Sequence, residues 1–225
     1  MDDDRIDTGR SETEQAIMDA TLHALAKHGY ADLSIKNIGA EFEKSTSLLY
    51  YHYENKDELL LAFLDYVIDL YIATIDPGAE NADAEIRKFV GYVLPEDNKP
   101  CEEMTPPEIE ELEIFQRVIF ELRTQTIHDE DFRQKFGEME SYIIETISTL
   151  IEREIEAGRY RPMNAKMMAE NLMAFLFRTL DVHVTQTRPE SAEAMRESVY
   201  FLLDNVMPVD GNPGDVATSD TDIDG

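Results

Sequence analysis

The sequence predicts an all-α protein in which three short N-terminal helices lead, through a long fourth helix, into a larger helical domain. Three observations predict it. Apolar residues recur at three- and four-residue spacing over most of residues 12–206. Period-two alternation, the mark of strands, is absent. Ser and Asn stand where helices should begin, and Gly or Pro where they should stop.

Residues 1–10 read as a polar, flexible tail. The first helix runs from about Glu12 to His28, with Ile17, Ala20, Leu22, Ala24 and Leu25 on its apolar face. Gly29 stops it, behind the cationic pair Lys27-His28. Ser34 caps a second helix through Ile35, Ile38 and Phe42, and Ser45 caps a third, short one. Asn55 starts the fourth, with Glu58 three residues on as in a capping box, and it runs to about Ile75. Further helical patterns cover roughly 80–94, 106–126, 129–157, 164–186 and 190–206, broken at Pro95, Pro106-Pro107, His128, Gly158 with Pro162, and Pro189. From Pro208 the chain turns polar and acidic, so 208–225 read as a disordered tail. The resulting division is 11–57 for a small N-terminal domain and 58–207 for a larger helical one.

Composition narrows the function. Apolar residues make up 43% of the 225, enough for a folded core. No apolar run of about 18 residues is free of charge, so no membrane span is expected. The acidic start Met1-Asp2-Asp3-Asp4 is unlike a signal peptide, and the chain reads as cytoplasmic. The single cysteine, Cys101, reads as an ordinary loop thiol. His23, His28, His52, His128 and His183 are scattered without metal-ligand spacing, and neither a phosphate loop nor a nucleophile motif is present. No cofactor, metal or enzymatic activity is expected.

The third helix carries the chemistry. It ends in Tyr50, Tyr51 and His52, with Lys56 one turn beyond. Hydroxyl, imidazole and ammonium donors gathered at one tip suit DNA phosphates, and a helix of this length fits the major groove. Leu49 and Tyr53 read as core, and Tyr51 reads either way. Ser34 and Ser45 have a second reading as caps alone.

Residues 12–64 resemble the helix-turn-helix domain of the TetR/AcrR family of transcriptional regulators. The matching residues are Ile17, Ala20, Leu25, Gly29, Tyr30, Ser34, Ile35, Ile38, Ser45, Leu49, Tyr50, His52, Tyr53, Lys56, Leu59 and Leu60. Beyond them, Gly158-Arg159-Tyr160-Arg161-Pro162 is similar to a turn found before the family's dimerisation helices. The resemblance implies that Thr46, Ser47 and Leu48 enter the groove and that Tyr50, Tyr51, His52 and Lys56 meet phosphates. Ser34 and Lys36 then make backbone contacts. Two positions depart from the family pattern: Glu43 and Lys44 stand where a Gly and a small branched residue are usual. A non-Gly residue in a left-handed turn costs about 1 kcal/mol, and Lys44 would lay its methylenes on the core.

Charge pulls the other way. The chain carries −28, and over residues 11–60 four lysines face nine carboxylates, a net of −5. DNA readers are usually basic. Either the domain no longer binds DNA, leaving a helical protein-binding adaptor, or it works in concentrated salt. At ~1 M salt the Debye length is only about 3 Å, so distant carboxylates hardly repel DNA. The halophile's regulator is the preferred reading.

In the larger domain, residues 165–183 are apolar on nearly every face, which calls for burial on two sides. A second copy of the chain is the simplest second partner. Met168, Leu172, Phe175, Leu176 and Thr179, with Tyr200 and Leu203 of the last helix, are the expected interface of a homodimer, which would recognise a palindromic site in double-stranded DNA. The family also implies an apolar small-molecule effector, most often acting on a repressor. Phe89, Tyr92, Phe115, Ile119, Phe136, Met139, Tyr142, Met173 and Phe177 are the candidate lining, and each of them has a second reading as plain core.

Overall fold

The computed structural model describes residues 10–42, 45–94, 109–186 and 188–209. Among them lie nine α-helices: α1 (Glu12–Asp32), α2 (Ile35–Glu41), α3 (Thr46–His52), α4 (Lys56–Ala73), α5 (Ala82–Val93), α6 (Ile109–Gln125), α7 (Glu130–Glu156), α8 (Ala165–Thr185) and α9 (Pro189–Phe201). The last runs on into a π-helical turn, Leu202–Val206. Glu43, Lys44 and Cys101 lie outside the described residues, as do Pro95 and Pro106-Pro107.

Caps place most helix starts where the sequence puts them. Ser11 closes a capping box with Glu14, accepting the Glu14 N–H at 3.3 Å while the carboxylate accepts the Ser11 N–H at 2.9 Å. The Ser11 hydroxyl and then its amide, both bonded to the ionised form, hold the Glu14 carboxyl below its ordinary range. At the fourth helix Asn55 Oδ1 accepts the Glu58 N–H at 2.9 Å, but Glu58 reaches past Asn55 to accept the Glu54 N–H at 2.7 Å. The expected box is therefore only half formed. Pro189, read as a break, is instead the first residue of α9, where a missing N–H costs nothing.

Two further boundaries differ from expectation. α1 carries a short helical stretch past Gly29 (φ 69°, ψ 168°) as far as Asp32. Backbone pairing also continues beyond residue 207. Val209 donates its N–H to Arg159 O at 2.9 Å and Arg161 donates to Met207 O at 2.8 Å, forming a short bridge that pairs Tyr160 with Pro208. Backbone hydrogen bonding to the 159–161 turn holds two residues that composition alone assigned to the tail.

Helices α1 to α4 share one small core. Ile17, Leu25, Ile38, Leu49, Leu59 and Phe63 are each no more than 1% exposed. α4 then packs along α7, and an ion pair between Lys135 and Asp65 fastens the two. α8 lies between α7 and α9. Arg87 of α5 joins that helix to the chain's last turn, donating to Asp83 at 2.8 Å, to Asp204 at 2.6 Å and to the Leu203 carbonyl at 2.9 Å. Among the described residues no helix is long and apolar enough to cross a membrane.

Candidate nucleic-acid interface and regulatory cavity

α3 is only seven residues long, too short to hold itself helical in water. Its fixed point is Leu49, fully buried in the domain core, while Ser45 Oγ accepts the Ser47 N–H at 3.3 Å to close its start. With Leu49 turned inward, its neighbours must turn outward. Ser45, Thr46 and Ser47 are exposed, Leu48 is half-buried, and Tyr50 and Tyr51 are 62% and 83% exposed. His52 is half-buried with its ring edge-on to Tyr51, centroids 5.4 Å apart. Tyr53 is half-buried, and burial raises its phenol above the usual range. Ser34 is also half-buried and committed as a cap, its hydroxyl accepting the Asn37 N–H at 3.2 Å and donating to Asn37 Oδ1. Lys36 is exposed beside it.

One residue that pattern reading passes over is Gly39. A Cβ there would stand 2.8 Å from Thr46 Cγ2 and 3.2 Å from its Oγ1. α2 thus touches the start of α3 through a glycine, and the side chain that would have to move is an exposed one on the tip. Gly39→Ala is expected to displace Thr46 and alter which DNA sequence is preferred, with a melting temperature close to that of the parent. A site-selection library read alongside a thermal melt checks it. An unchanged preference would mean that Thr46 reads nothing.

Lys56 is positioned by the junction between the two domains. Its ammonium lies 4.9 Å from the centroid of the Tyr30 ring and 3.4 Å from the Tyr30 carbonyl. The same tyrosine donates its backbone N–H to Glu121 Oε1 of α6 at 2.7 Å and sets its ring edge-on to Phe132 of α7. Gly29 permits this twice over. Its positive φ suits glycine, and a Cβ would come within 3.1 Å of the Glu121 carboxylate. α6 therefore touches the N-terminal domain through a carboxylate beside the lysine expected to meet phosphate.

Four residues of α6 also line a small cavity of about 40 Å³, room for a few water molecules. Of the expected lining, Phe89, Ile119, Phe136, Met139, Met173 and Phe177 are on its wall. Tyr92, Phe115 and Tyr142 are not. Phe115 and Tyr92 instead pack against Tyr71, 5.8 and 6.0 Å between centroids, and Tyr142 faces outward. Burial, with Tyr66 nearby, pushes the Tyr92 phenol up to about 12. Unforeseen wall residues include Gln116, whose amide donates to the Val93 carbonyl at 3.2 Å, and Arg123. The Arg123 guanidinium lies 4.2 Å from the Phe177 centroid and donates to Glu140 at 2.8 Å.

The expected interface needs correction. Leu172, Leu176, Thr179 and Leu203 are at most 5% exposed within a single chain, already covered by its own helices. They have almost no surface left for a partner. Met168, Phe175 and Tyr200 keep part of theirs, and Met167 and Ala174 stand open on the outer face of α8. An all-round apolar helix does not show in sequence which of its sides its own chain covers.

A helix-turn-helix domain standing on an all-helical body defines the class: the fold of a DNA-binding transcription regulator. Residues 17–63 match the family model described as bacterial regulatory proteins, tetR family. It is similar to the crystal structure of a TetR transcription regulator from Haloarcula marismortui, with 27% identity, TM-score 0.69, and coverage of 85% of this chain and 96% of that one. A putative transcriptional regulator from Saccharomonospora viridis, solved in complex with choline, has TM-score 0.69 and 20% identity over 88% of this chain and 99% of that one. A putative TetR-family regulator from Rhodococcus sp. has TM-score 0.64 and 19% identity over 87% and 100%. At those last two identities the likeness concerns the fold. No curated protein matches the chain.

Proposed function

We propose that the protein is a homodimeric repressor that holds a palindromic operator and releases it to a small-molecule effector. The observation that carries the reading is the split on α3, where Leu49 is sealed in the core while Tyr50 and Tyr51 stand free. Solvated aromatic hydroxyls at a helix tip gain little for stability, and they suit phosphates. Thr46, Ser47 and Leu48 read bases; Lys36, Tyr50, Tyr51, His52 and Lys56 grip the backbone. Ser45 closes the helix start, and Ser34 acts mainly through α2. Two subunits meet on the outer faces of α8 and α9, around Met168, Phe175 and Tyr200 together with Met167 and Ala174. Support for an effector comes from the cavity and from the choline bound to the Saccharomonospora regulator.

Titrating the chain's own upstream DNA in molar KCl tests the reading. A specific shift supports it, whereas no specific shift at any salt leaves the adaptor reading, which the net charge of −28 favours. Two variants separate the contact types. Lys56→Ala is expected to weaken binding to every sequence alike and to reduce the salt slope by about one, as the loss of one phosphate contact should. Thr46→Ala is expected to relax preference at one base position, worth roughly 1–3 kcal/mol of discrimination. Uniform loss in both variants across a site library would refute the division.

A further inference from the structure

The cavity wall is hydrocarbon and aromatic almost throughout, with Phe89, Phe120, Phe136, Met139 and Phe177 prominent. Against that wall sits one cation. Arg123 has a distinctive pairing: Nη2 donates to Glu140 at 2.8 Å, while Nη1 is buried and no group among the described residues accepts from it. A buried guanidinium N–H without an acceptor is costly, more so than a neutral donor. Arg123 lines this apolar chamber while its unmatched Nη1 lies buried behind the wall, so a ligand that displaces the wall meets a charge-bearing donor, and that describes its complement. The complement has a hydrocarbon or aromatic body and one anionic oxygen.

We propose that the cavity binds an apolar monocarboxylate, its carboxylate accepting from Arg123 Nη1 and its body lying among the phenylalanine and methionine side chains. The class of effector named here rests on the effector reading above. A planar carboxylate matches the guanidinium fork better than a neutral carbonyl or hydroxyl, since the bond is charge-assisted. A cationic ligand would face the guanidinium at close range, and no carboxylate is on the cavity wall.

The size of the chamber supplies the coupling. About 40 Å³ accepts a few waters, so a ligand as large as benzoate enters only by moving a wall. Methionines 139 and 173 yield by rotation. Gln116, Ile119, Phe120 and Arg123 all come from α6, so the remaining displacement falls on that helix. Glu121, between Phe120 and Arg123, is the residue whose carboxylate holds the Tyr30 N–H beneath Lys56. Ligand at Arg123 thus strains the contact that positions the phosphate-binding lysine.

Calorimetric titration of the full chain with benzoate and octanoate, against benzamide and octanol as neutral counterparts, tests the site directly. The carboxylates are expected to bind about ten- to a hundredfold more tightly than their neutral counterparts. Arg123→Gln should erase that margin, and Glu140→Gln, which removes a competing acceptor and one negative charge, should widen it. The second variant keeps the arginine, so it decides the matter even where the first fails to fold. Equal binding of benzoate and benzamide, a margin that survives Arg123→Gln, a margin narrowed by Glu140→Gln, or no binding of any probe would overturn the proposal. The titration needs no DNA, so failure of the regulator reading shows separately. Carboxylate binding that leaves operator affinity unchanged would remove the effector reading and leave the site.

Discussion

Leu49→Ala is expected to abolish specific DNA binding and to lower global stability by about 2–5 kcal/mol, the usual cost of emptying a buried leucine site. That is a large share of the 5–15 kcal/mol typical of a folded domain. The reasoning starts from the length of α3. Seven residues close few intrahelical bonds against a costly nucleus, so the helix persists because something outside it holds it. The one fully buried side chain on it is Leu49, at 0% exposure, flanked by the half-buried Leu48 and Tyr53, while Ser47, Tyr50 and Tyr51 face solvent. Taking away three carbons beneath the tip removes the anchor and the packing of α1, α2 and α4 around it. Tyr51→Ala is the matched control, since a side chain 83% exposed leaves the core intact. Its melting temperature should equal the parent's while its DNA affinity falls. Paired thermal melts and retardation assays check both, and Leu49→Ala retaining the parent's DNA affinity would mean that α3 is held by other means.

This contrast between Leu49 and its neighbours was legible in the sequence, where Leu49 reads as core beside the polar Ser47 and the tyrosines of the tip. The caps Ser34, Ser45, Asn55, Asp129 and Asn164 were legible for the same local reason, although Asp129 and Asn164 emerge only as boundaries of helical pattern. What stayed hidden lies between distant segments. Tyr30 and Glu121 are 91 residues apart, and nothing near either announces their hydrogen bond. Gly39 meeting Thr46 depends on how α2 leans on α3 across a turn whose two residues break the family pattern. Arg123 was passed over because a charged residue on a helix ordinarily reads as a solvated face. Leu172 and Leu176 were assigned outward because periodicity gives the width of an apolar face and not its occupant. Local physics is written in neighbouring residues, whereas the coupling between domains is a property of the packed whole.

The second large effect expected is a stability that depends on salt with an unusual sign. Forty-eight carboxylates face twenty basic residues. Several of the bases are already committed to pairs, as Lys27 is to Glu41 and Arg87 to Asp83 and Asp204, so the uncompensated charge is nearly all negative. At about 0.01 M salt the Debye length is roughly 30 Å, and carboxylates across a protein of this size repel one another. At about 1 M it is about 3 Å, and only contacting groups still interact. Exposed ion pairs weaken over the same range, but each is worth only about 0–1 kcal/mol, too little to reverse the sign. Lowering KCl from molar to millimolar should therefore cost several kcal/mol, a fall of about 10 °C or more in melting temperature at this chain length. Sucrose at equal osmolality in millimolar KCl should fail to restore it, which separates screening from general exclusion effects. DNA affinity should follow the same direction. A basic DNA reader loses affinity as salt rises, by release of counterions from the phosphates it neutralises. The proposed contact surface offers few cations, Lys36 and Lys56 foremost, so that slope should be shallow while the repulsion it competes with is large. Affinity should rise between 0.1 and about 1 M KCl before levelling off. A melting temperature indifferent to salt, or an affinity falling steeply from the lowest salt upward, would show that the acidic body neither strains the fold nor repels DNA.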